Sequence, residues 1–119
     1  MLTRTLLRRG SVSVIDCRCT GGAADKPFVE LHGGFSVSYV RRGSFGYRTR
    51  GESYELVAGS ILVGQPGDEY VCTHDHHLCG DECLSFQLAP AVVEAVGPGS
   101  RAQQTQIWRT ACVLSLIHI

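Results

Sequence analysis

The chain has 119 residues, 44% of them apolar, and a formal net charge of +0 with its histidines neutral. That length suits one small domain with a single core, and the apolar fraction excludes a disordered chain. The balanced charge gives no sign of a nucleic-acid footprint or an acidic tail, and no apolar run approaches the ~20 residues of a membrane-spanning helix.

Residues 1–10, MLTRTLLRRG, lack a long apolar segment ending in a small-residue cleavage site, so they read as an N-terminal lead and not as a secretory signal. The expected compartment is therefore the cytoplasm. There the six cysteines should be reduced, and most should serve as small buried hydrophobes.

From Ser11 onward the chain alternates and stops at glycines. Ser11–Cys19 is a predicted strand, with Val12, Val14 and Cys17 between polar residues. Gly21–Pro27 is a loop by composition, and Phe28–His32 is extended up to Gly33-Gly34. In Phe35–Arg41, Phe35, Val37 and Tyr39 share one face and Ser36, Ser38 and Val40 the other. Ser44–Thr49, Glu52–Val57, Ser60–Val63, Glu69–Thr73 and Glu82–Leu88 complete the strands. Short strands with glycines about every ten residues predict an all-β sandwich or barrel. Ala91–Val96 is the one helical start, with Pro90 in its first turn and Gly97-Pro98-Gly99 as its stop. Residues 97–113 read as linker and the start of a C-terminal segment.

The densest group of ligand-type side chains follows the Glu69–Thr73 strand. Three of the five histidines and three of the six cysteines lie between Cys72 and Cys83. On an extended strand Cys72, His74 and His76 share a face, and Cys79 and Cys83 could complete a tetrahedral zinc set across a turn. The spacing lacks the paired C-x2-C form, and the competing reading is structural cysteines beside an exposed loop. A reversible Cys79–Cys83 thiol pair is disfavoured, because Asp81 and Glu82 oppose a lowered thiol pKa. Arg41-Arg42 and Arg48-x-Arg50 are read as sheet-edge charges, and Asp68 as a turn-shaping residue that bonds local backbone N–H groups. Tyr39, Tyr47, Phe45 and Phe86 are assigned to the core or to the lining of a barrel interior able to enclose one small ligand.

The spacing Glu30-x-His32, three residues, Ser36, six residues, Gly43, followed by Gly59 and Pro66-Gly67-Asp68, resembles a cupin. Two metal-ligand positions of that motif are substituted, by Glu30 and Ser36, and His32 alone keeps its ligand type. The strings VRRGSFGYRTRG (Val40–Gly51), GDEYVCTHDHH (Gly67–His77) and GDECLSFQL (Gly80–Leu88) resemble the N-terminal domain of AraC-type bacterial transcription regulators. The resemblance implies a cupin-like jelly roll over residues 11–96 that senses a small-molecule effector or dimerises. It adds His32 to Tyr39, Tyr47 and Phe86 as candidate ligand lining. It also implies a homodimer, no membrane partner, and DNA contact only through a C-terminal helix-turn-helix domain that this sequence lacks. We therefore expect a truncated coding region, with Leu114–Ile119 a non-native tail. The domain is expected not to be an enzyme. Two other readings stay open: a zinc- or thiol-responsive sensor using Cys72, His74, His76, Cys79 and Cys83, and a cupin metalloenzyme using Glu30, His32 and His74.

Overall fold

Residues 2–20, 26–74, 80–95 and 113–115 are described in a computed structural model of the chain. Residues 2–8, expected as a lead, form a first strand, β1 (Leu2–Arg8), which pairs antiparallel with β2 (Val12–Cys19). The row of Arg and Leu in β1 gives little alternation to read, and pairing with β2 supplies the order instead. β3 (Val29–Leu31), β4 (Phe35–Arg42), β5 (Ser44–Thr49), β6 (Glu52–Val57), β7 (Ser60–Gly64), β8 (Glu69–Thr73) and β9 (Asp81–Leu88) follow, each within two residues of its predicted span. The predicted helix is α1 (Pro90–Ala95), and a last strand, β10 (Val113–Ser115), pairs with β7. β10 takes in two residues of the segment expected to be a tail.

The strands form two antiparallel sheets, one ordered β1-β2-β9-β4-β7-β10 and the other β3-β8-β5-β6. Between them Val40, Phe45, Tyr47, Leu56 and Leu62 make the core. Phe45 and Tyr47 stand two apart on β5 and face inward together, as their alternation predicts.

β4 alternates as expected but in the opposite phase. Ser36 and Ser38 are buried and point between the sheets with Val40, while Tyr39 on the other face is 38% exposed. The register carries this phase across the sheet: Ser38 lies opposite Ser85 of β9, and Val37 lies opposite Phe86. The six-stranded sheet thus turns its small polar residues inward over part of its area and leaves aromatic and aliphatic side chains half-buried outside.

Gly43 ends β4 with φ +78°, a left-handed conformation that glycine adopts without cost. A Cβ there would lie 2.5 Å from the Gly80 carbonyl oxygen and 2.9 Å from the Asp81 Cα. The β4–β5 turn and the start of β9 are therefore in backbone contact, which fixes where Asp81 begins. No helix among the described residues is long and apolar enough to cross a membrane.

Candidate functional site

A cavity of about 840 Å³ opens between the sheets beside the core. Its floor is polar. Ser38 Oγ donates to Ser85 Oγ at 2.9 Å, and Gln87 Nε2 donates to the same oxygen at 2.7 Å. Ile15, Leu62 and Phe45 supply apolar wall, and Phe28 and Leu31, both more than 60% exposed, stand at its mouth.

His32 lines the cavity as expected. Its backbone N–H donates to the Asp68 carbonyl at 2.9 Å, which ties it to the turn before β8. Its ring stacks on Tyr70 with centroids 4.1 Å apart, and Nε2 shares a hydrogen bond of 2.9 Å with the Tyr47 hydroxyl. Tyr47, expected as ligand lining, is 1% exposed and belongs to the core; it does not line the cavity and acts on it only through its bond to His32. Gly64 makes room for this ring: a Cβ on it would come within 2.6 Å of His32 Nδ1.

Tyr39 and Phe86 do not line the cavity. The hydrophobic phase of β4 and β9 suggested that they would, but the hydroxyl-bearing face turns inward and carries both aromatics to the outer face. Cys72, His74 and Cys83 do line it, whereas His76 and Cys79 lie outside the described residues. The expected set of Glu30, His32 and His74 does not assemble. His32 stacks on Tyr70, and His74 lies four positions further along the chain from Tyr70, about 13 Å of strand rise. Glu30 Oε1 accepts from Arg4 Nη2 at 3.2 Å. The residues at the cupin motif positions therefore do not fit a metal: one is a serine, one carboxylate is held by an arginine, and the histidine is already bonded through Nε2.

At the other end of the cavity, His74 lies with Cys19 from the end of β2 and Asp81 from the start of β9. These three are the group among the described residues whose donor atoms converge, all within 4.8 Å of one another. Sequence reasoning missed Cys19, and it placed Asp81 in the ligand-rich stretch without assigning it to the zinc set. The alternation Cys17-x-Cys19 was the available signal, since it places both thiols on one face of β2.

Burial decides the chemistry of the other thiols. It raises the Cys72 thiol pKa far above the ordinary range, with Glu30 adding to the effect. It pushes Cys83 up to about 12, with Asp81 adding to it. Both are neutral and unreactive at ordinary pH, in accord with inert packing. No disulfide joins the described cysteines.

Arg41 and Arg50, two of the four expected edge charges, and the turn carboxylate have specific partners. Arg41 pairs with Asp16 and lies 4.0 Å from Glu82 on the outer face, within the six-stranded sheet and away from its edge. Asp68 Oδ2 accepts from Arg50 Nε at 2.8 Å. The carboxylate thus ties two turns together, where the sequence suggested it would bond the backbone of its own turn.

Burial lowers the His32 pKa below 6.5, outweighing the nearby Asp68 carboxylate, which acts in the other direction. The unfolded chain therefore takes up a proton on this ring before the folded one does. The stability His32 contributes is complete above the unfolded value of 6.5 and is lost as pH falls through the lower folded value. Urea midpoints should decline as pH falls below 6.5, and His32→Gln should flatten that decline. An unchanged slope in His32→Gln would place the titration on another residue.

Solved structures similar to this fold include cupin proteins. A cupin protein from Bacteroides fragilis is 21% identical, with 84% of each chain covered and a TM-score of 0.59. A Cupin 2 conserved barrel domain protein from Salinispora arenicola is 13% identical, with 79% of this chain and 81% of that one covered and a TM-score of 0.62. The fold is a cupin barrel. HppE shares it at 11% identity and TM-score 0.62, this chain spanning 48% of its length, and HppE has also been solved with FeII and substrate. At such identities the likeness concerns the barrel alone. No family model and no curated protein matches the sequence.

Proposed function

We propose that this cupin barrel is the effector-binding domain of an AraC-type transcription regulator, with a small hydroxyl-bearing molecule seated between the sheets. The observation that carries the reading is the cavity floor. Ser38, Ser85 and Gln87 offer hydroxyl and amide groups to a ligand while Ile15, Leu62 and Phe45 cover its apolar faces. Such a pocket, mostly apolar with a few placed polar groups, suits an uncharged or weakly charged small molecule. The substituted cupin motif supports a binding role over metal catalysis, because Glu30 and His32 are engaged by Arg4 and Tyr47. The regulator reading rests on the sequence resemblance in Val40–Gly51 and Gly67–Leu88.

On this reading the domain works as a homodimer, and ligand in the cavity shifts the balance between two ways of holding a DNA-binding partner domain. The described residues contribute no recognition helix, since α1 has six residues.

Calorimetric titration with a panel of monosaccharides, polyols and hydroxy acids tests the proposal. One member should bind at one per chain, and the paired change Ser38→Val/Ser85→Val should weaken it more than tenfold. Changing both serines avoids leaving one hydroxyl buried without its partner. Binding that survives the double change, or no binding across the panel, would count against the cavity floor as the effector site.

A further inference from the structure

Cys19, His74 and Asp81 lie far apart in sequence and come together only through the fold. Cys19 is the last residue of β2 and Asp81 the first of β9, and the two stand directly opposite in the antiparallel register. His74 follows β8 and reaches them from the facing sheet. Its two ring nitrogens point at the two partners: Nε2 is 3.7 Å from Cys19 Sγ, and Nδ1 is 3.6 Å from Asp81 Oδ2. The Asp81 and His74 side chains are 9% and 13% exposed. His74 Nδ1 is buried and makes no hydrogen bond. A polar nitrogen left this way costs free energy unless something satisfies it.

We infer that Cys19, His74 and Asp81 form a three-ligand site for a zinc-class divalent cation, with the fourth position open to the cavity. Thiolate, imidazole and carboxylate are the donor types zinc takes, and three protein ligands with one open position is the arrangement of sites that bind an exchangeable molecule. Zinc bond lengths of about 2.0–2.3 Å in a tetrahedron put donors about 3.3–3.8 Å apart. Each of the two short separations falls in that range, but they run to different nitrogens of the ring. The ion takes one nitrogen of the ring, so a shift of about 1 Å closes the 4.8 Å spread of the donors onto it.

The site differs from the metal position of the cupin motif. That position is built around His32 and Glu30 beside Tyr70, which lies four positions before His74 in the chain, and its residues are engaged elsewhere. The effector pocket and the cation site share one cavity, since Asp81, Cys83, Ser85 and Gln87 follow one another along the inward face of β9. A cation here would sit at one end of the bound molecule.

The test uses the full chain purified without a histidine tag and stripped by chelator. Cobalt(II) is the first probe, because a thiolate ligand adds a charge-transfer band and four-coordination intensifies the visible bands. The wild type should take up one equivalent and show both. Zinc competition against a chromophoric chelator then ranks the variants. Cys19→Ser should lose the charge-transfer band, and Asp81→Asn, which keeps the side-chain volume, should bind zinc at least tenfold more weakly. Affinity should fall as the pH is lowered, since protons compete with the cation for the thiolate and imidazole. The double variant His76→Gln/Cys79→Ser decides between this site and the neighbouring ligand-type residues. Retained binding in it supports the inference. Lost binding in it, with Cys19→Ser unaffected, overturns it, as does a wild type that takes up no stoichiometric metal. A Cys19→Ser protein that fails to fold leaves the wild-type cobalt spectrum and Asp81→Asn to decide. None of these readouts depends on the effector panel, so the two proposals fail separately.

Discussion

Gly43→Ala should be among the most damaging single changes in this domain. The left-handed backbone at φ +78° costs an alanine about 1–2 kcal/mol. The new Cβ would also sit 2.5 Å from the Gly80 carbonyl oxygen, a distance no real contact tolerates, and the obstacle is backbone that cannot rotate away. β9 has to shift at its first residue, and it lies between β2 and β4 in the sheet. A total loss of about 3 kcal/mol or more is expected, a fall in melting temperature of roughly 10–20 °C for a domain of this size. Thermal unfolding followed by circular dichroism measures it. A variant melting within two or three degrees of the wild type would mean that the β4–β5 turn is free to move away from β9.

Tyr47 carries the second large effect. It is 1% exposed, packs with Val40, Phe45, Leu56 and Leu62, and its hydroxyl holds His32. Tyr47→Ala should cost about 3–5 kcal/mol, as aromatic truncations in well-packed cores do. Tyr47→Phe keeps the ring and removes the hydroxyl alone, so it should cost about 1 kcal/mol and leave the His32 ring without its partner. Denaturant titration of both variants separates packing from the hydrogen bond. If Tyr47→Phe costs as much as Tyr47→Ala, the hydroxyl and not the ring would be the main contribution.

The strands were legible because glycines and turn residues mark their ends, and local chain stiffness acts at that scale. The orientation of the faces was not. In β4 the alternation Phe35-Ser36-Val37-Ser38-Tyr39 is plain, but a barrel with a polar cavity turns the hydroxyls inward. The usual assumption that the apolar face is the inner one then fails, and Tyr39 and Phe86 were assigned to the wrong side for this reason. His74 was found because it sits in an obvious cluster. Cys19 was missed, and Asp81 left out of the metal set, because the two meet His74 only through the β2–β9 register, more than fifty residues from Cys19 along the chain. The metal set of Glu30, His32 and His74 was drawn from a motif, and spacing alone could not reveal that Arg4 and Tyr47 occupy two of its members.

The place of β9 in the sheet also sets the order in which the protein can be made. β5 and β6 form a local hairpin, and β4 and β7 can pair as soon as both exist. β2 has nothing but β1 beside it until β9 arrives, with Cys17 waiting for Cys83 across 66 positions. A chain leaving the ribosome therefore carries an open edge on β2 and another on β4 until residues 81–88 emerge and fill the gap between them. Pairings this distant fold slowly, and open edges are where unfinished β proteins associate with one another. The two halves of the six-stranded sheet join only when β9 closes the gap between them.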